Sequence, residues 1–335
     1  MPKSMNQKLK LLYLIQILEH KSDEEHPLST KQLIEELAAY QISAERKSIY
    51  DDIEQLILFG YDIILNKSRI NGGYYLASGE FEMAELKLLV DAVQSSRFIT
   101  PKKSRELIGK LEKKCSIYNA SQLKRQVYVN NRVKTDNENI YYNVDEIYEA
   151  IHHNVQISFQ YYEWNTKKEK ILRKNGELYQ ISPWSLTWNE DNYYLIGFDE
   201  EQNMIRHYRV DKIKNINMTK FPRQGLQKFD EFDVASYCRK TFGMYGGRDE
   251  VVTLQFPNHL AGVVVDRFGM DTDMRQIQDG FFRIRILISV SNQFFGWMTG
   301  IGKEVTIISP KKVAEEYDSY LNEIIQKNKE KEGLF

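Results

Sequence analysis

The chain is poor in the residues that staple, metallate or anchor a protein. Its 335 residues include 2 cysteines, 7 prolines and 6 histidines. Cys115 and Cys238 lie far apart and in no metal-ligand spacing, which fits a reducing compartment with no disulfide framework. No stretch approaches the ~20 uninterrupted apolar residues that a membrane helix needs. The segment Met1–Ile17 carries lysines and an apolar stripe, but no compact apolar run followed by a small-residue cleavage site, so no signal peptide is expected. These absences predict a cytoplasmic protein with no membrane partner. Catalytic sets are missing as well: there is no His-Glu-x-x-His, no Walker loop and no nucleophile elbow. His152 and His153 adjoin on a predicted helix and point different ways, a poor metal pair. Gly300-Ile301-Gly302 reads as a turn rather than a phosphate loop. The expectation is no catalytic residue, no metal and no cofactor.

What is present is ordinary globular material: 42% hydrophobic and 28% charged residues, enough for two or three domains. The net charge is −1, so the whole chain carries no basic excess. By segment the balance differs. Residues 1–78 hold 9 basic and 11 acidic side chains, residues 79–134 hold 12 and 6, residues 135–222 hold 10 and 14, and residues 223–335 hold 15 and 16. Phosphate affinity depends on local cation placement rather than on the total. A nucleic-acid reading must therefore rest on pattern.

The N-terminal pattern is specific. Leu9, Leu11, Leu12, Leu14, Ile15 and Leu18 recur at helical spacing and predict a helix over about residues 4–19. Ser29-Thr30 can cap a second helix running through Leu33, Ile34, Leu37 and Ala38. Ser43 is placed to cap a third, with Ile49, Ile53, Leu56 and Ile57 on its buried face and Gly60 at its end. Tyr61–Leu65 and Gly73–Leu76 read as two strands joined through Asn66-Lys67-Ser68-Arg69. Helix, tight turn, helix and hairpin make a winged helix-turn-helix, whose second helix enters the major groove. The candidate DNA-binding residues are Ser29, Thr30 and Lys31 on the second helix, Arg46, Lys47, Ser48 and Tyr50 on the third, and Lys67 and Arg69 on the wing. The same three-helix unit could instead pack or dimerise without touching DNA. The stretch from Ile42 to Leu56 resembles the recognition helix of deoxyribose-repressor-type winged helices, with Ser48 in place of Thr and Asp51 where Arg is common.

Residues 82–96 and 101–114 read as amphipathic helices and hold the basic excess, either as a solvated face around a dimer contact or as a face along flanking DNA. After a helix at about 144–153 the period changes to two, beginning with Val155-Gln156-Ile157-Ser158-Phe159-Gln160-Tyr161. Strand material flanks Asn175-Gly176, and Tyr193–Phe198, Met204–Val210 and Lys212–Met218 follow, predicting a small SH3-like barrel. Ser182-Pro183-Trp184-Ser185-Leu186, then Tyr193-Tyr194-Leu195, then Ile205-Arg206-His207-Tyr208-Arg209-Val210-Asp211-Lys212-Ile213 resemble the WYL domain family, with Tyr193 in place of the family's Trp. The resemblance implies a sensor module on an SH3/Sm-like barrel, fused behind a winged helix in transcriptional regulators, several of which bind nucleic acid or nucleotide-like ligands. Candidate ligand-binding residues are Arg206, His207 and Arg209, which suit phosphate, and Tyr161, Tyr193 and Tyr194, which offer stacking faces. Each aromatic has core packing as its rival role, and Arg209 has an ion pair with Asp211.

The C-terminal order of strand, helix, strand, helix, strand and helix from Glu250 to about Lys327 suggests a ferredoxin-like unit, and it resembles the C-terminal extension of these regulators. The fold expected is therefore α+β and multidomain: a winged helix-turn-helix over 1–78, a helical linker or dimerisation region over 79–134, a WYL barrel over 135–222 and a ferredoxin-like extension over 223–335. The function expected is a homodimeric, DNA-binding transcriptional regulator controlled by an anionic ligand, a nucleic acid fragment or nucleotide. The competing readings are a nucleotide-processing enzyme and a ligand-binding adaptor without DNA binding.

Overall fold

The structure is a computed structural model that describes residues 6–77, 79–123, 134–230, 233–277 and 280–332. The chain divides into two compact units, Met1–Glu138 and Asn139–Phe335.

The first unit begins with three helices, α1 (Lys10–Lys21), α2 (Thr30–Ala39) and α3 (Arg46–Phe59), and a hairpin of β1 (Ile63–Asn66) and β2 (Gly73–Leu76). Leu14, Ile17 and Leu18 of α1, Leu33 and Leu37 of α2, and Ile49, Ile53 and Leu56 of α3 close one core with Ile42 and Ile63. Those are the apolar positions that recur at helical spacing. Ser29 starts α2 with a full capping box: its hydroxyl accepts from the Gln32 amide and the Gln32 side chain accepts from the Ser29 amide. Helix α3 starts later than the sequence suggests. Ser43 does not cap it; Glu45 holds the N-cap position, and its carbonyl accepts from the Ile49 amide. Buried Ile42 holds the incoming chain on the core, so the backbone turns helical only beyond it. Gly60, at φ 118°, ends α3 in a conformation that residues with a Cβ rarely adopt. A β-bridge between Leu28 and Tyr74 ties the hairpin to the start of α2. The approach there is so close that a Cβ on Gly73 would stand 2.4 Å from the Leu28 backbone.

Helices α4 (Met83–Ser95), α5 (Pro101–Leu111) and α6 (Ile117–Leu123) follow, around a small core of Leu86, Val90 and Leu123. Lys134 clamps α4 to α5: its ammonium donates to the Val93 and Ser96 carbonyls and to the Ser104 hydroxyl at 3.1, 2.8 and 2.9 Å. Partial burial lowers the pKa of that ammonium.

The second unit opens with α7 (Ile140–His152), followed by β3 (Val155–Trp164), β4 (Lys170–Leu172), β5 (Tyr179–Asn189), β6 (Asn192–Asp199), β7 (Met204–Arg209) and β8 (Ile213–Pro222). The sheet order is β4-β3-β5-β6-β7, and β8 returns to pair with β3. Register shifts in β3 and at Pro183–Ser185 in β5 let the sheet curl on itself. Asn175-Gly176 does not close a hairpin. Residues Arg173–Gly176 form a short 3-10 turn, and β4 and β5 each pair with β3 rather than with one another. The curled sheet encloses Ile157, Phe159, Ile181, Leu195, Tyr208, Val210 and Ile213. Helix α7 plugs one side through Ile147 and Ala150, which are buried, and through Asn143. The buried Asn143 amide donates to the Val210 and Ile213 carbonyls at 3.4 and 2.9 Å. Asn143→Ala is expected to leave both carbonyls short of a donor and to lower stability by about 1–3 kcal/mol. Denaturant melting of the full chain checks this, and a change below about 0.5 kcal/mol would contradict it.

Short helices α8 (Leu226–Asp230) and α9 (Val234–Lys240) lead to β9 (Arg248–Pro257), α10 (Ala261–Phe268), β10 (Met274–Gln276), β11 (Phe281–Val290), α11 (Asn292–Ile301), β12 (Thr306–Ser309) and α12 (Lys311–Glu332). The antiparallel sheet runs β10-β11-β9-β12. Its alternating inner residues, Val252, Leu254 and Phe256 on β9 and Phe282 and Ile284 on β11, pack with Phe294, Met298 and Val313 of the helices. Among the described residues no helix is long and apolar enough to cross a membrane.

Candidate functional site

In the first unit the N-termini of α2 and α3 and the β1–β2 hairpin frame a cleft of about 870 Å³. Six of the residues singled out in the sequence line it: Ser29, Thr30, Lys31, Arg46, Tyr50 and Lys67. The helical rise brings Arg46 and Tyr50 onto one face, one turn apart. The Arg46 Nε donates to the Tyr50 hydroxyl at 2.6 Å, and its guanidinium stands 5.7 Å from the Tyr50 ring centroid. Hydrogen bonds from Thr30 and Arg46 lower the Tyr50 pKa, the first contributing most. Tyr74 of β2 packs against Tyr50 at 6.4 Å between ring centroids, and it is a lining residue that the sequence pattern did not single out. Lys31 pairs loosely with Glu35 at 3.8 Å, both side chains being well exposed. An anionic backbone entering the cleft would meet Lys31, Arg46 and Lys67 with hydroxyls of Ser29, Thr30 and Tyr50 between them.

Three of the candidates lie elsewhere. Lys47 and Arg69 are exposed outside the cleft lining. Ser48 is half-buried and turned inward, where its hydroxyl meets the Lys10 ammonium. Lys10 is 4% exposed and also pairs with half-buried Asp52, so α1 and α3 are joined by a charge pair whose ammonium is buried. Nothing in local periodicity marks Lys10 as buried, because it sits among exposed leucines at the start of its helix.

In the second unit the sensor candidates separate by burial. Tyr161 and Tyr194 are 9% and 6% exposed, packed in the core rather than offering open stacking faces. Burial pushes both phenols up in pKa, and the Tyr161 hydroxyl accepts from the Arg209 amide at 3.2 Å. Tyr193 is half-buried with its ring edge-on to Trp188, 4.7 Å between centroids. The His207 ring lies 2.7 Å from the Tyr237 hydroxyl of α9, and burial lowers its pKa. Arg206 stands 3.5 Å from buried Asp199. Arg209 makes a two-pronged pair with Asp211, Nε to Oδ1 at 3.0 Å and Nη2 to Oδ2 at 2.8 Å, while about a third of its side chain stays exposed.

The curl of the sheet adds cations that no linear pattern indicated. The Arg173 guanidinium lies 5.8 Å from the Tyr161 ring centroid, and the Lys174 ammonium 4.7 Å from that of Tyr179. Tyr161 thus has the Arg173 guanidinium against its ring and the Arg209 amide on its hydroxyl, and burial, then the charge of Arg209, lowers the pKa of Lys212 nearby in sequence. Asp211 and Glu163 oppose them in part.

Curled sheet, inward-packed aromatics and a cationic end belong together in one stretch of sequence. Residues 142–218 match the WYL domain family. The WYL domain thus covers most of α7 and the strands through most of β8, and it includes every sensor candidate named above. No curated protein matches the chain. Among solved structures it is similar to proteasome accessory factor B/C (PafBC) of Arthrobacter aurescens, at 15% identity and a TM-score of 0.28, over 96% of this chain and 49% of that one. It is also similar to a CRISPR Cas-related protein, at 13% identity and a TM-score of 0.36, over 96% of this chain and 85% of that one. The chain spans about half the length of the PafBC structure.

Proposed function

We propose that this protein is a transcriptional regulator, in which a winged helix-turn-helix formed by α1 to α3 and the β1–β2 hairpin binds double-stranded DNA and the WYL domain binds the ligand that controls it. The observation that carries the reading is the cleft framed by α2, α3 and the hairpin, where Arg46, Tyr50, Thr30, Lys31 and Lys67 converge. Arginine reads guanine through two parallel hydrogen bonds, and lysine and hydroxyl groups hold phosphates. The protein acts by binding rather than by catalysis, works in the cytoplasm and pairs as a homodimer, which doubles the half-site contacts. The strand order β10-β11-β9-β12 supports reading the C-terminal sheet as a ferredoxin-like extension. The DNA reading is tested by titrating random-sequence duplex DNA at several salt concentrations. Affinity is expected to fall steeply with salt as phosphate-bound counterions are released. Affinity that is absent, or indifferent to salt, would overturn the reading.

The ligand is an anion, a nucleic acid fragment or nucleotide, held at the barrel end by Arg209 with Arg173 and Lys212. Arginine next to aromatic faces suits bases and phosphates together. Replacing Arg209 by alanine is expected to weaken binding of short single-stranded oligonucleotides about tenfold or more, the equivalent of one charge-assisted hydrogen bond. Calorimetry on the full chain measures this beside Lys212→Ala. Should Arg209→Ala keep full affinity and only lower the melting temperature, Arg209 serves Asp211 and the assignment is wrong.

A further inference from the structure

Helix α12 runs past the domain that it closes. Val313, Ala314, Tyr317 and Tyr320 pack on the C-terminal core. One and two turns further on, the same helical face continues as Leu321, Ile324 and Asn328. There it meets no core: residues 322–330 are exposed, with Ile324 at 40% and Ile325 at 50% exposure. Beside this face lies a groove of about 510 Å³ whose lining includes Val305, Ile307, Ala314, Tyr317, Asp318 and Leu321. Leu321, Ile324 and Ile325 thus form a short apolar stripe on a charged helix, beside that groove.

The charges around the stripe select the partner. Acidic Glu316, Asp318 and Glu323 lie in its first part, and basic Lys327 and Lys329 follow in its second, with Glu330 beyond them. With 100° per residue, Asp318, Ile325 and Lys329 flank the stripe on the groove side, and Glu323 and Lys327 flank it on the other. We propose that α12 pairs antiparallel with α12 of a second copy of this chain, the two helices crossing at Ile324. In that register Asp318 of each copy meets Lys329 of the other, and Glu323 meets Lys327. Two-fold symmetry makes each contact twice. Ile325 and the stem of Lys329 then cover the groove mouth of the opposite copy. A parallel pair would set Asp318 of one copy against Glu316 and Glu323 of the other, and Lys329 against Lys327, which like-charge repulsion disfavours.

The inference rests on the homodimer reading and deepens it by naming the surface. Sedimentation of the full chain over a concentration series tests it. Wild type is expected to be a dimer, and Ile324→Glu, at an exposed site where folding is undisturbed, to raise the dimer dissociation constant about tenfold or more. Asp318→Lys and Lys329→Asp should each weaken the dimer, and the two together in one chain should restore it. That rescue is one that damage to folding would not produce. A dimeric wild type that is indifferent to Ile324→Glu overturns the helix pairing and leaves the homodimer standing on another surface. A wild type that is monomeric throughout the series overturns both.

Discussion

Asp52→Ala is expected to destabilise the N-terminal unit by about 3–5 kcal/mol, because it strands a buried ammonium. Lys10 is 4% exposed, and Asp52 is its counter-charge. Among the described residues, the ammonium without Asp52 keeps the Ser48 hydroxyl, a neutral partner too weak to offset its desolvation. Whole domains are stable by roughly 5–15 kcal/mol, so this one substitution should remove a large fraction of the total. Denaturant melting of the full chain measures it. Lys10→Met combined with Asp52→Leu should recover most of the loss, since replacing both charges with apolar groups leaves nothing unpaired. A single Asp52→Ala that melts like wild type would show that Lys10 reaches water. The pair joins α1 to α3, the helix that carries Arg46 and Tyr50.

Arg46→Ala is expected to remove sequence discrimination at one or two base positions, costing about 1–3 kcal/mol, roughly fivefold to 150-fold in operator affinity. Arg46 lies at the start of α3, in its first turn, the part of a recognition helix that meets base edges. Its Nε is already held by the Tyr50 hydroxyl, so the guanidinium is partly ordered before DNA arrives. Tyr50→Phe should therefore weaken operator binding less than Arg46→Ala does, through lost ordering alone. Lys67→Ala, on the hairpin, should weaken binding evenly across sequences and reduce the salt slope by about one unit. Gel shifts of operator and scrambled duplexes separate the two patterns. If Arg46→Ala weakens both duplexes equally, Arg46 is a phosphate contact.

The helices and hairpin of the N-terminal unit were legible because their apolar period, the Ser29 cap and Gly60 are local signals. The strands from β3 to β8 were legible in the same way, through alternation and turn residues. What escaped depended on distant contacts. Ser48 looked like a DNA contact until Lys10, 38 residues earlier, claimed its hydroxyl. Tyr161 and Tyr194 looked like stacking platforms because alternation says which residues share a face, and not which face the curled sheet closes over. Arg173 and Arg209 come together at Tyr161 only through that curl. The Arg209–Asp211 pair was readable as a rival role because the two residues are close in sequence, and it is present. The short elements α6, α8, α9 and β10, three to seven residues long, carry too few periods to register in sequence.

The central claim is that the WYL domain governs DNA binding by the N-terminal unit. Its most direct test is to select duplexes from a random pool with the full chain, then measure affinity for the winning sequence with and without short single-stranded oligonucleotides. The account predicts a recurring, two-fold symmetric motif, and an affinity for it that changes at least fivefold when oligonucleotide is added, the low end of allosteric coupling at about 1 kcal/mol. That change should vanish in Arg209→Ala. A pool that yields no preferred sequence, or an affinity unmoved by every oligonucleotide and nucleotide tried, would contradict it.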